Sequence, residues 1–525
     1  MASAIAFGHN LYRSHLSLTN ANSVISVGNC VAGQGVYSRG MIDILVTYWP
    51  HILAVLSVLL GVPAAIHATM TKEEVRSALG WVGIIILSPI LGALIYAVAG
   101  INRIRRSSIG LQRVTLLDRG REPVDEYDVT GESVANRFGQ RFASMKLLGD
   151  KVSRYGMCTG NRITMLEGGD IAYAAMVQAI ARAKRSILLE TYIFDRDPIG
   201  LRFGDALIAA VKRGVEVRVL IDAVGARYSV PSIVGHLKDG GVTVRVFNGN
   251  IVMGLRLPYA NLRTHRKILI VDGATAFTGG MNIRAGFTEE FAGEARARDT
   301  HFQVEGAVVA DLFAVAEEDW HFSSREMLDS QSWHIPPNAG RRLSTLMRAV
   351  PSGPDKANES NQKMLMGAFS VARRSILVMS PYFLPDRELI AALVTSAMRG
   401  VAVDIVVPAV NNLTLVDRAM TAQFDQLLKG GCRIWRANGP FNHSKLMTID
   451  GRWSYVGSSN LDPRSLRLNF EIDLEVLDIG FAQQVTQRIR PILAEATPVT
   501  LESLRAAPFV TRLINRIFWL GSPYL

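Results

Sequence analysis

Cysteine is nearly absent from this sequence: Cys30, Cys158 and Cys432 are the only three in 525 residues, far apart, with no CxxC pair and no zinc-ligand spacing. A disulfide scaffold and a structural zinc site are therefore excluded from the reading, and a reducing compartment is expected for the large domain. Acidic residues are absent from residues 1–40, where Arg13 and Arg39 are the strong bases. With no convincing apolar run ahead of a cleavage site, this stretch reads as an uninformative or poorly ordered extension. Charge of either sign is absent from residues 44–66 and 81–100. Twenty helical residues at about 1.5 Å each reach about 30 Å, the thickness of a bilayer hydrocarbon core, so both stretches are predicted to span a membrane as a hairpin. The connection, 67–80, carries two basic residues, Lys72 and Arg76, whereas Arg103, Arg105, Arg106 and Arg113 follow the second stretch. The positive-inside bias then puts the large domain, and both termini, on the cytoplasmic side.

What remains is long enough for at least two folded units. The net charge of +11 favours an anionic partner without choosing between nucleic acid and a lipid surface. Regular alternation of strand and helix signals begins after residue 160. Residues 186–194 (SILLETYIF) read as a strand, 203–213 (FGDALIAAVKR) as a helix and 215–221 (VEVRVLI) as a strand. The order returns at 375–383 (SILVMSPYF), 386–399 (DRELIAALVTSAMR) and 401–407 (VAVDIVV), down to the matching Arg213-Gly214-Val215 and Arg399-Gly400-Val401. This predicts an α/β fold made of two similar domains packed face to face around a shared cleft. The expected organisation is an extension (1–40), a two-span anchor (41–106), a connecting region (107–160), domain one (161–345), domain two (346–495) and an amphipathic C-terminal segment (496–525). The Pro- and Gly-rich stretch 331–358 is the expected linker, with room for a short helix at 341–350. In the C-terminal segment, Phe509, Leu513, Ile514, Ile517 and Phe518 fall near one helical stripe flanked by Arg512 and Arg516, which suits either a membrane surface or the catalytic domain.

The chemical signal appears once in each half. His265 and Lys267 are followed by Asp272 and Asn282; His443 and Lys445 are followed by Asp450 and Asn460, with identical gaps. HRKILIVD and HSKLMTID are read as strands that turn at Asp272-Gly273 and Asp450-Gly451, so that each histidine and lysine share a face and each asparagine returns toward them. Histidine supplies a nitrogen nucleophile or a proton donor; lysine and asparagine donate to phosphate oxygens. Two such sets across a cleft divide covalent catalysis, one histidine attacking phosphorus and the other protonating the leaving alkoxide. Asp272 and Asp450 belong to the catalytic motifs and are assigned to holding the turns. Asp299 and Glu471, at comparable distances beyond the two asparagines, are the candidates for orienting the histidines. His301 is considered as a third metal ligand with His265 and His443, but the neighbouring lysines repel a cation, so no metal and no cofactor is expected.

The two HxK(x)4D(x)6G[GS]xN motifs resemble the phospholipase D superfamily. LRTHRKILIVDGATAFTGGMNI, RDTHFQVEG, PYFLPDRELI, FNHSKLMTIDG, VGSSNLDPRSLRLNFEIDLEV and WLGSPYL, with the hairpin ending SALGWVGIIILSPILGALIYAVAG, are similar to its bacterial cardiolipin synthase branch from residue 42 to 525. The resemblance implies two phospholipase D-like domains with mixed sheets flanked by helices, related by a pseudo-two-fold, behind a transmembrane helical hairpin. It further implies transfer of a phosphatidyl group from one phosphatidylglycerol to another with release of glycerol, through a phosphatidyl-histidine on His265 with His443 as acid and base. The partners it implies are phosphatidylglycerol and an anionic membrane surface, in the cytoplasmic membrane, with no nucleic acid. Head-group hydrolysis or exchange by the same site is the alternative, ahead of a nuclease. Two stretches depart from the family's pattern. Ala297 stands where many relatives carry tryptophan, and VVPAVNNLTLVDRA is less charged than the corresponding stretch of many relatives.

Overall fold

The computed structural model describes residues 35–72, 74–101, 127–248, 262–335, 343–355, 357 and 359–522. Arg103, Arg105, Arg106 and Arg113, and with them the charge bias expected after the second apolar stretch, lie outside the described residues, as does most of the extension 1–40. The chain divides into two compact units, Met1–Asn102 and Arg103–Leu525.

In the first unit, the helix Gly35–Thr71 contains a 25-residue stretch, Thr47–Thr71, long and apolar enough to cross a membrane. The second apolar stretch, expected as one helix over 81–100, is broken. It runs as Val75–Leu87, pauses at Ser88, resumes at Pro89–Ile95 and ends in a π turn, Tyr96–Gly100. Proline lacks the N–H and pushes the preceding residue out of helical geometry, which accounts for the break. The two arms meet where side chains are small: a Cβ on Gly61 would lie 3.0 Å from Pro89 Cβ. The His67 ring bonds the Tyr96 hydroxyl at 2.8 Å between them.

In the second unit the duplication is visible as one sheet in which each copy repeats the same strand order. In the first copy, Thr243–Phe247, Glu216–Asp222 and Ser186–Thr191 are parallel neighbours. Antiparallel strands follow in the order Ile268–Val271, Thr275–Gly279, Thr300–Gly306 and Cys158–Glu167. In the second copy, Arg433–Ala437, Ala402–Pro408 and Ser375–Met379 are parallel. Leu446–Ile449, Trp453–Gly457, Asn469–Leu477 and Thr345–Ser352 continue it antiparallel. The copies join where Cys158–Glu167 pairs with Thr345–Ser352, so the sheet is mixed and the repeat pseudo-symmetric about that seam. The parallel strands are buried on both faces by helices, which is why their sequences are near-continuous apolar runs.

Three local expectations are corrected. The short helix expected at 341–350 is instead the strand Thr345–Ser352, the partner the seam needs, buried along nearly its whole length between its two neighbours. The described part of the connecting region expected at 107–160, from residue 127 on, is more than a connection. Helices Gly131–Phe138 and Gln140–Val152 pack Val134, Phe138, Phe142 and Met145 into the core of the second copy, and Arg141 bonds Asp450. The C-terminal helix Phe509–Leu520 turns Phe518 and Trp519 against that same core, while Phe509, Val510, Leu513 and Ile517 are exposed, so its apolar residues occupy two faces rather than one stripe.

Candidate active site

The motif histidines stand just ahead of the strands predicted to carry them. Residues 265–267 and 443–445 are extended connections, and the strands begin at Ile268 and Leu446. Their backbones are fixed by the opposite copy. His265 N donates to Phe470 O at 2.8 Å, and His443 N to Arg298 O at 2.7 Å. Each histidine segment therefore lies beside the chain that leads into the other copy's acidic residue, at Glu471 and at Asp299.

The side chains follow. His265 Nδ1 bonds Glu471 Oε2 at 2.9 Å and His443 Nδ1 bonds Asp299 Oδ2 at 2.9 Å. The two acids predicted from spacing are both beside histidines, but crossed between the copies. Spacing along one chain could not reveal the exchange, because it comes from the packing of the two halves. With Nδ1 occupied by a carboxylate, Nε2 is the nitrogen of each ring turned to the chemistry, and in His443 it lies 3.1 Å from Lys445 Nζ. Glu471 is itself held by the hydroxyl of Ser458 at 2.6 Å and the amide of Asn469 at 3.3 Å.

Lys267 Nζ donates to His265 O at 2.6 Å and Lys445 Nζ to His443 O at 2.7 Å, so the four cationic or basic groups share one buried site. Burial, reinforced by both lysines, holds the His265 imidazolium well below its ordinary pKa; burial and then Lys445 lower His443 to about 4. Burial also lowers Lys267 to about 7 and Lys445 to about 8. The carboxylates respond oppositely: desolvation raises Glu471, whereas the bond from His443 leads the interactions that outweigh burial and lower Asp299. A bound anion would favour the charged forms of both lysines, which burial opposes.

Asn282 and Asn460 are buried; Asn282 Oδ1 accepts from Ile193 N at 3.2 Å, next to the Tyr192 that meets His265, and Asn460 Nδ2 lies 3.4 Å from Ser465 Oγ. Asp272 and Asp450 are not brought to the histidines. Each sits beyond the far end of a strand in a two-residue turn with positive φ at both positions (54° and 64°; 53° and 61°). Asp272 accepts from the backbone N–H groups of Lys184, Arg185 and Ser186, and Asp450 from those of Arg373, Arg374 and Ser375. The residue between histidine and lysine also differs in use: Arg266 is buried and bonds Asp319 and Glu471 O, a structural tie. His301 is buried across the ladder from Gly279, the register position that Asp473 fills opposite Gly457 in the second copy.

Aromatic walls escaped the motif reading. The Tyr192 ring meets His265 at 5.0 Å between centroids, and Tyr382, Phe441 and Phe287 surround His443 at 6.1, 5.9 and 6.3 Å. The only sequence signal was the tyrosine near the end of SILLETYIF and of SILVMSPYF.

A family model described as "Cardiolipin synthase, PLD-like domain" matches residues 176–293 and 365–493. Cardiolipin synthase A of Pseudomonas fluorescens is 31% identical over 488 residues, covering 91% of this chain and 99% of the relative. A cardiolipin synthase of Alkalihalophilus pseudofirmus is 30% identical, covering 85% of this chain and 88% of its own length. Among solved structures, phosphatidylserine synthase of Haemophilus influenzae shares the fold, with a TM-score of 0.54 at 16% identity over 73% of this chain and 100% of that one.

Proposed function

Because the chain belongs to the cardiolipin synthase family of phospholipase D-like proteins, we propose that it is a phosphatidyltransferase that uses phosphatidylglycerol as both donor and acceptor. The observation that carries the mechanism is the pair of buried histidines, each held through Nδ1 by the other copy's carboxylate. His265 Nε2 attacks the donor phosphorus, a phosphorus–nitrogen bond forms, and the bond to the glycerol oxygen breaks. His443 gives its proton to that oxygen and glycerol leaves. His443 then takes the proton from the terminal hydroxyl of a second phosphatidylglycerol, whose oxygen attacks phosphorus and frees His265. Lys267, Lys445, Asn282 and Asn460 hold the non-bridging oxygens; Glu471 and Asp299 orient the rings and stabilise their charged forms. Burial, with the lysines beside them, favours the neutral form of both histidines, and a bound phosphodiester, placing negative charge beside His443, favours its protonation. Asp272 and Asp450 hold the turns.

The helix with the span-length stretch Thr47–Thr71 and the shorter apolar helices after it support a membrane-associated N-terminal anchor. On the count of basic residues after residue 101, the catalytic unit faces the cytoplasm of a two-span protein in the cytoplasmic membrane. An acceptor in the same leaflet is concentrated relative to water at the site, which favours transfer over hydrolysis.

Purified protein in liposomes of phosphatidylglycerol alone, without added metal or nucleotide, is expected to yield cardiolipin and glycerol in equal amounts. Phosphatidic acid without cardiolipin would move the protein to the hydrolytic reading. Cardiolipin made only when phosphatidylethanolamine is added would keep the phosphohistidine and change the lipid partner.

A further inference from the structure

Two loops, one in each copy, carry exposed apolar groups that the chemistry does not use. In the first copy the parallel strand Glu216–Asp222 runs into residues 223–232; in the second the equivalent strand Ala402–Pro408 runs into residues 409–413 and the helix Thr414–Lys429. Loops leaving the carboxyl ends of parallel strands border the ligand site in sheets of this kind.

Each loop is tied to a ring that meets a motif histidine. Gly225 approaches the Tyr192 carbonyl so closely that a Cβ there would collide with it, and Tyr192 stacks edgewise on His265. In the second copy the Tyr382 hydroxyl donates to Asn412 Oδ1 at 2.7 Å, Asn411 Nδ2 donates to Pro381 O at 3.1 Å, and Tyr382 meets His443. Because the two histidines are held crosswise between the copies, the rings that meet them, and the loops tied to those rings, border the same site.

Their side chains are turned outward: Val230 is 94% exposed, Val410 66%, Tyr228 55%, and Leu413 and Leu415 47% each. Leaving such groups in water forgoes the free energy of burying them, and clustered exposure of this kind marks an interaction surface. The charge pattern selects the partner. Arg227 is the only charged residue in 223–232, and 409–415 has none. No carboxylate stands in either loop to repel lipid phosphates, and one arginine is available to meet them. The same chain carries a helix of membrane-spanning length.

We propose that residues 223–232 and 409–415 are paired membrane-contact loops that insert their apolar tips into a phospholipid surface and hold the cleft mouth against it. Lipid then enters sideways, with its phosphate reaching the histidines while its acyl chains stay in the bilayer. This deepens the functional reading above and rests on it for the identity of the substrate.

The test uses the full-length protein in bilayers whose acyl chains carry bromine as a quencher. With Cys30→Ala as background, Cys158 and Cys432 are buried, and Val230→Cys, Leu413→Cys and Met398→Cys each receive an environment-sensitive dye. Met398 is 78% exposed and precedes the strand Ala402–Pro408, at the other end of the sheet. Quenching severalfold stronger at 230 and 413 than at 398 is expected; equal quenching at all three, or none at the loops, overturns the proposal. This readout needs no turnover, so it fails independently of the reaction assignment. A second variant, Val230→Asp with Leu413→Asp, is expected to lower turnover of bilayer phosphatidylglycerol at least tenfold while leaving a short-chain, monomeric phosphodiester unaffected. Equal loss on both substrates, or no loss on the bilayer, would overturn the docking role.

Discussion

The crossed pairs make the two carboxylates separable by experiment. Glu471→Gln keeps the size of the side chain and an oxygen able to accept from His265 Nδ1–H and Ser458, but removes the negative charge that stabilises a positively charged or phosphorylated ring. Asp299→Asn does the same to His443. An amide in place of the carboxylate behind a catalytic histidine costs about 10⁴-fold in the serine-protease example, and general acid–base assistance as a whole about 10²- to 10⁴-fold. Each variant is therefore expected to lose about 10²- to 10⁴-fold in turnover of phosphatidylglycerol, which alone does not distinguish them. A donor with p-nitrophenol in place of glycerol does, because that leaving group departs without a proton. With it, Glu471→Gln should still form the enzyme adduct slowly, since His265 is the affected nucleophile. Asp299→Asn should form the adduct at nearly the wild-type rate and then accumulate it, since only the base that activates the acceptor is impaired. Rapid-quench detection of labelled lipid on protein, with p-nitrophenol release followed in parallel, reads both steps. Adduct accumulating in Glu471→Gln but not in Asp299→Asn would refute the division of roles, and identical behaviour would refute the idea that each carboxylate serves one histidine.

Three further outcomes follow from the same geometry. Replacing His265 or His443 by alanine should abolish or nearly abolish turnover while the circular dichroism spectrum remains that of the folded protein, whereas Arg266→Ala, which strands the buried Asp319, should lose about 3–5 kcal/mol of stability in a denaturation assay. In the pH profile of kcat/KM, the lysines are charged and able to hold phosphate below their lowered values of about 7 and 8, so activity should fall as pH rises through that window. The acid limb should lie well below 6.5, because burial and the lysines keep His265 neutral there; a kcat/KM still rising above pH 8 would contradict this. Asp272→Ala removes an acceptor shared by three backbone N–H groups, and the expected result is a loss of about 1–3 kcal/mol in stability with the folded fraction still active; intact stability with lost activity would give that aspartate a chemical role.

The sequence by itself determined the duplication, the α/β class and the pairing of histidine, lysine and asparagine, because these depend on local periodicity and on gaps between chemically distinctive residues. The Asp-Gly turns were legible for the same reason: a two-residue connection with both φ values positive has few acceptable residues. Only tertiary structure decided the rest. TLMRAVPS reads as a strand once the seam between the copies supplies partners on both edges. The helices at 131–152 belong to the second copy although they precede the first, a long-range packing that no window of sequence contains. Spacing placed Asp299 and Glu471 near the histidines but could not say which serves which. Chain order assigns each acid to its own motif, whereas packing the halves across the seam lays each histidine segment beside the opposite strand, and hydrogen bonds at 2.9 Å then join residues more than a hundred positions apart.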